Sequence, residues 1–169
     1  MFEDIKEILK KAKRLDDKKA FRFAVTDKVK DLIIELNTEN QLGEKGVDSD
    51  GVDLGDYAPF TIDERLKLGL QVDHIDFKVT GKYWKSWKVK VVKDEIIISV
   101  NQNRYDELVN ELRFSDEHVG LTDENLGKVS DEMVENYIEF TLKNGQTYQI
   151  LSQEFLNTLP LNLIKIMKA

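Results

Sequence analysis

The chain of 169 residues contains no cysteine, which excludes disulfide staples, zinc–thiolate centres and a thiol nucleophile. It has no apolar run approaching the roughly 20 residues that span a bilayer, so no membrane partner is expected. The opening MFEDIKEILKKAKR carries no long apolar core behind its charges. A secretory signal is therefore not expected, and synthesis in the cytoplasm is. Internal repeats and low-complexity tracts are absent, as are a Gly-rich phosphate loop and a Ser nucleophile elbow.

Charged residues make up 34% of the sequence and hydrophobic ones 41%, a balance that suits one helix-rich domain with a core of ordinary size and a highly charged surface. The net charge is -7, yet the stretch from Phe77 to Lys93 holds Lys78, Lys82, Lys85, Lys88, Lys90 and Lys93 and no acid. Within it Trp87, Val89 and Val91 alternate with Lys88 and Lys90. After Asp94 and Glu95, the residues Ile96, Ile98 and Val100 alternate with Ile97 and Ser99. This period of two predicts a hairpin with one apolar face. A two-stranded ribbon is marginal alone, so helices must cover that face.

Helical spacing appears on both sides of the ribbon. Ile5, Ile8, Leu9 and Ala12 predict a short helix over Glu3 to Arg14, and Phe21, Val25, Val29, Leu32, Ile33 and Leu36 predict a long one ending at Gly46. The Asp- and Gly-rich VDSDGVDLGDYAPF breaks it as a surface loop. Thr61 and Glu64 have capping-box spacing for a brief helix that stops at Gly69. Further helices are expected over Arg104 to Phe114, after Thr122, over Ser152 to Leu159 and over Leu161 to Met167. Ser130 to Lys143 fits a helix or a hairpin strand before Asn144 and Gly145, with helix favoured. The expected fold is α+β, a long amphipathic helix and shorter helices packed on a β-hairpin or small antiparallel sheet.

Four arrangements invite chemistry. An EF-hand loop opening at Asp48 fails at Val52 and Pro59, where ligands are required, so a plain turn-rich loop is expected. His74 and His118 stand beside carboxylates but show no spacing that makes them converge, and exposed polar histidines are expected. No metal or cofactor follows. Glu107, Asp116 and Thr122 match the Glu-x8-Asp-x5-Thr spacing of tailed-phage lysozymes, without the glycine-rich hairpin that surrounds the Asp and Thr in that family. The lysines and aromatics of the ribbon suit phosphate neutralisation and base stacking, although a solvated strand face looks the same and the net negative charge opposes nucleic acid at long range.

Phe77, Thr80, Gly81, Tyr83 and Ser86, followed by strands after Trp87, resemble the central block of tail-completion or head–tail joining proteins of tailed bacteriophages. Gly51, Leu54, Tyr57, Thr61 and Ile62, with Gly120 to Leu126, are similar to flanking segments in crAss-like phages of gut Bacteroidales. The resemblance covers about Leu42 to Leu126. It implies a non-enzymatic virion protein of the neck, assembled in the host cytoplasm. Residues 1–145 would form a connector-like domain and residues 146–169 a helical extension. A ring of twelve, alternatively six, copies would sit between the portal protein and other neck or tail proteins, with DNA passing through its lumen. Rings need two different complementary patches on one chain. The expected interface residues are Thr80, Gly81, Tyr83, Trp84, Trp87, Lys82, Lys85 and Lys88 on the basic side and Asp48, Asp50 and Asp53 on the acidic side, with the three aromatic residues serving as anchors or as core. The alternative is a nucleic-acid-binding accessory protein using the lysines of residues 78–93.

Overall fold

The computed structural model describes residues 17–93 and 95–143. The expected helices over Glu3 to Arg14 and beyond Gly145, and the proposed 146–169 extension, lie outside the described residues. What is described is an α+β fold, as expected, with helices packed on a two-stranded antiparallel sheet.

The ribbon comprises β1 (Lys88–Val92) and β2 (Glu95–Ser99). Val89 pairs with Ile98 and Val91 with Ile96, which puts the apolar residues of both strands on one face, as the alternation predicts. Ile96 and Ile98 are buried, while Lys88 and Lys90 stay exposed on the other side.

The long helix ends at Gly46 as expected, in the left-handed conformation with φ 63°, but it is not continuous. It is divided into α1 (Asp17–Ala24) and α2 (Asp27–Glu35). The division falls at Thr26, whose extended backbone (ψ 170°) and side-chain acceptor for the N–H of Val29 cap α2, with Asp27 favourable in the first turn. The apolar period runs straight through the break, so it concealed it.

From Leu36 to Lys45 α2 continues as a wider π-type helix. Its buried polar residues do the work of a neighbouring strand. Asn37 donates to the carbonyl of His118 (3.2 Å) and accepts from the N–H of Gly120 (2.8 Å). Gln41 then donates to the carbonyl of Gly120 (2.9 Å) and accepts from the N–H of Thr122 (2.8 Å). Two side-chain amides thus satisfy the backbone of every second residue of an extended segment, groups that would otherwise be buried unpaired.

α3 (Pro59–Lys67) starts at Pro59 rather than at a Thr61 cap, because proline occupies the first turn, where its missing N–H costs nothing. The Thr80–Gly81 turn leads first into a single helical turn, α4 (Lys82–Lys85), and only then into β1. After the ribbon, α5 (Gln102–Asp106) is capped by Asn101 and continues as a π-type turn over Glu107–Glu111. The helix expected after Thr122 and the ambiguous Ser130 to Lys143 are one element, α6 (Asp123–Lys143), with Thr122 accepting from the N–H of Asn125 at its start. α1 packs on α6, and α2 packs on both β1 and α6.

The expectation of exposed histidines is overturned. His118 is fully buried and stacks on Tyr105. His74 is half-buried, with Nε2 2.9 Å from the carbonyl of Gly43 and the ring pressed against Gly46.

Candidate interaction surface

The basic segment is anchored from within by Asp76, only 2% exposed. Its carboxylate receives Arg65 (2.8 Å), Gln71 (2.7 Å), the hydroxyl of Tyr57 (2.8 Å) and the N–H of Lys78 (2.7 Å). Arg65 donates further to the carbonyls of Gln71 and Lys78 and lies 4.2 Å from the centre of the Tyr57 ring. A buried ion pair is tolerable when the remaining donors and acceptors are satisfied, and here they are. Burial and the Asp76 carboxylate push the Tyr57 hydroxyl up to about 12.

Asp76 also sets the conformation of the next residue. Phe77 has φ 56°, a left-handed backbone uncommon for a side chain of that size, and its ring packs edge-on to Phe114 and against His118, with centroids 5.0 Å apart in both pairs. Held there, Phe77 forms one wall of a recess of about 350 Å³. Val79 and Tyr83 complete its apolar lining, while Thr80, Lys82, Asn101 and Arg104 bring the polar groups. Gly81 sits at the rim with φ 72° and open space beside it, and Thr80 Oγ1 accepts from the N–H of Lys82 (3.4 Å). Among the described residues no acid lines this recess. Arg104 pairs with Glu107, one turn further along the same helix.

The hydroxyl of Tyr83 lies 2.8 Å from His118 Nε2, and His118 Nδ1 lies 2.7 Å from the carbonyl of Ser115. A carbonyl only accepts, so Nδ1 carries the proton and Nε2 accepts from the tyrosine. Burial pushes the Tyr83 hydroxyl well above its ordinary range.

Beyond the recess the lysines point outward. Lys82, Lys85, Lys88, Lys90 and Lys93 are exposed, and none forms an ion pair among the described residues. Lys78 differs, pairing with Glu39 (3.4 Å) and covering the face of Trp84 at 4.1 Å. The two acidic stretches are drawn together. Ser49 donates its N–H to the carbonyl of Glu117 (2.9 Å) and its hydroxyl to the Glu117 carboxylate (3.1 Å), so the Asp loop and the segment beginning at Asp116 share one surface.

The expected interface residues are thus divided. Thr80, Gly81 and Lys82 meet at the recess, while Lys85 in α4 and Lys88 in β1 are exposed outside it. Tyr83, Trp84 and Trp87 are 6%, 6% and 4% exposed, which assigns them to the chain's own core rather than to protruding anchors. Trp84 lies on Gly43 and donates to the carbonyl of Asp76 (3.0 Å). Asp48 is likewise withdrawn, 4% exposed, with Oδ1 accepting from the N–H groups of Asp50 and Val52. It shapes the loop, and Asp50 and Asp53 are the exposed members.

Of the lysozyme-like trio, Glu107 is paired with Arg104, and Thr122 caps α6 with its hydroxyl and meets Gln41 through its N–H. Sequence reasoning passed over Arg104 and Asn101 as site residues, since each reads as an ordinary part of a helix start. Among the described residues no cluster of three histidines or acids could hold a metal ion, and no helix is long and apolar enough to cross a membrane. Comparison with protein-family models, with curated proteins and with solved structures returns no match to this chain.

Proposed function

We propose that this chain is a non-enzymatic assembly protein of a tailed-phage neck, forming a ring between portal and tail through which DNA passes. The family assignment rests on the ordered resemblance around Phe77, Thr80, Gly81, Tyr83 and Ser86. The observation that supports the assembly role is the separation of charge: exposed lysines of α4 and the ribbon that have no ion-pair partner among the described residues, and an acidic surface made of two sequence-distant stretches tied by Ser49 and Glu117. A head-to-tail ring requires two unlike surfaces on one subunit, and opposite charge sets their register.

The test is the mass of the full chain in solution by light scattering, alone and with the cognate portal. A mass that is a fixed multiple of the protomer, alone or on the portal, supports the reading. A protomer indifferent to the portal at low salt overturns it.

The same unpaired lysines favour a second reading, a nucleic-acid-binding accessory protein. In that case anisotropy with labelled duplex and single-stranded DNA would show affinity falling steeply with salt, and Lys82, Lys85, Lys88 and Lys90 changed together to Glu would remove it.

A further inference from the structure

We propose that the recess beside Gly81 receives the tip of the Asp50–Gly51–Val52–Asp53 loop from a second copy of this chain. The proposal rests on the assembly reading above and names its contact. The recess, about 350 Å³, lies near the lower end of the roughly 300–1,000 Å³ typical of ligand pockets. Its lining is apolar at Phe77, Val79 and Tyr83, and its polar side carries Lys82, which has no ion-pair partner among the described residues, together with Arg104, whose charge is shared with Glu107. Its complement is a small apolar side chain flanked by carboxylates.

The loop tip is such a group. Val52 is 59% exposed, a β-branched side chain presented to water between Asp50 and Asp53, both also exposed. It is held in place rather than trailing. Asp48 donates its N–H to the carbonyl of Val52 (2.9 Å), its Oδ1 accepts from the N–H of Val52 (2.9 Å), and Val47 bridges to Asp53. Ser49 fastens the base of the loop to Glu117. Preorganisation lowers the ordering cost of docking. No loop residue lines the recess, so a subunit can offer one surface while accepting the other, as a head-to-tail arrangement requires. Phe77, in its left-handed backbone, gives the recess a wall already held in one shape, consistent with strain gathering at binding sites.

The absence of cysteine makes the contact directly addressable. Val52→Cys and Thr80→Cys are prepared as separate full-length variants, both at exposed positions, and treated with a short bis-maleimide singly and mixed. The proposal predicts a cross-linked dimer in the mixture and none from either variant alone, with loss of that dimer when the Thr80→Cys chain also carries Lys82→Glu. Cross-linking absent from the mixture, in variants whose light-scattering mass still shows assembly, overturns this contact and leaves the assembly reading standing. Wild-type chain that stays a protomer alone and with the portal, together with no cross-link, overturns both. Equal dimer from either variant alone also overturns the proposed head-to-tail pairing.

Discussion

Arg65 and the ribbon lysines are all cations, and the fold treats them oppositely. Arg65 is 2% exposed and gives its donors to Asp76, to the carbonyl of Gln71 and to the carbonyl of Lys78. Lys82, Lys85, Lys88, Lys90 and Lys93 are exposed and have no ion-pair partner among the described residues. The first arrangement is costly to break, since removing one member of a satisfied buried pair strands the other. The second contributes little to the fold, because like charges along an exposed ridge repel weakly and are screened by salt. Exposed charges that do not stabilise the chain they belong to remain available for a partner.

That contrast can be broken most severely at the buried pair. Arg65→Met or Asp76→Asn should each cost about 3–5 kcal/mol in urea unfolding, because each leaves a desolvated polar group without its charge partner. Arg65→Met combined with Asp76→Asn should cost less than the sum of these two single changes, and full additivity would show that the two groups do not act as a pair.

A smaller effect separates two left-handed glycines. Gly81→Ala should cost about 1–2 kcal/mol from its backbone alone, since the space around it is open. Gly46→Ala should exceed it, because the added carbon would fall 2.5 Å from the His74 ring, as well as at φ 63°. Thermal midpoints of the two variants decide the order.

The tryptophans sharpen the comparison further. Trp84 has its N–H bonded to the carbonyl of Asp76, whereas the N–H of Trp87 is buried without a hydrogen-bond partner among the described residues. Replacement by Phe removes similar volume from each, so Trp84→Phe should be the more destabilising by about 1 kcal/mol. Equal losses would mean that the Trp84 bond contributes nothing net.

The weakest effect lies at the surface. Lys128 and Lys45 hold the Glu124 carboxyl down, from an ordinary 4.5 to about 2. A folded-state value below the unfolded one stabilises above the ordinary range and loses that contribution as pH falls from about 4.5 towards 2. Glu124→Gln should therefore be slightly less stable than wild type at neutral pH, by an amount that solvent screening at this exposed site keeps small, and should converge with it as pH falls through that window, flattening the acid limb.

Much of the architecture was legible wherever periodicity is local. The alternation of Val89 and Val91 with lysines gave the ribbon its faces, and Gly46 marked the end of α2. Thr26 shows why the break was not visible: Val25 and Val29 keep helical spacing across it, while the cap competes through a single hydroxyl. Asn37 and Gln41 read as residues of a polar helix face, yet they are buried because their partners, His118, Gly120 and Thr122, lie far along the chain. The same distance hid His118, whose neighbours come from Phe77, Tyr83 and Tyr105. At the candidate surface, lysine spacing gave the exposed ridge, but only three-dimensional packing could separate buried Asp48 and Trp84 from exposed Asp50 and Lys82.

The central claim, that the ribbon lysines are held for a partner outside the chain, is tested most directly by comparing wild type with Lys82, Lys85, Lys88 and Lys90 all changed to Glu. Both proteins would be followed by light scattering across a salt series and by urea unfolding. The account predicts that the variant unfolds within about 2 kcal/mol of wild type, since each surface change usually shifts stability by no more than about 0.5 kcal/mol, and remains a protomer where wild type assembles. Assembly of the variant to the wild-type mass at every salt concentration would contradict it.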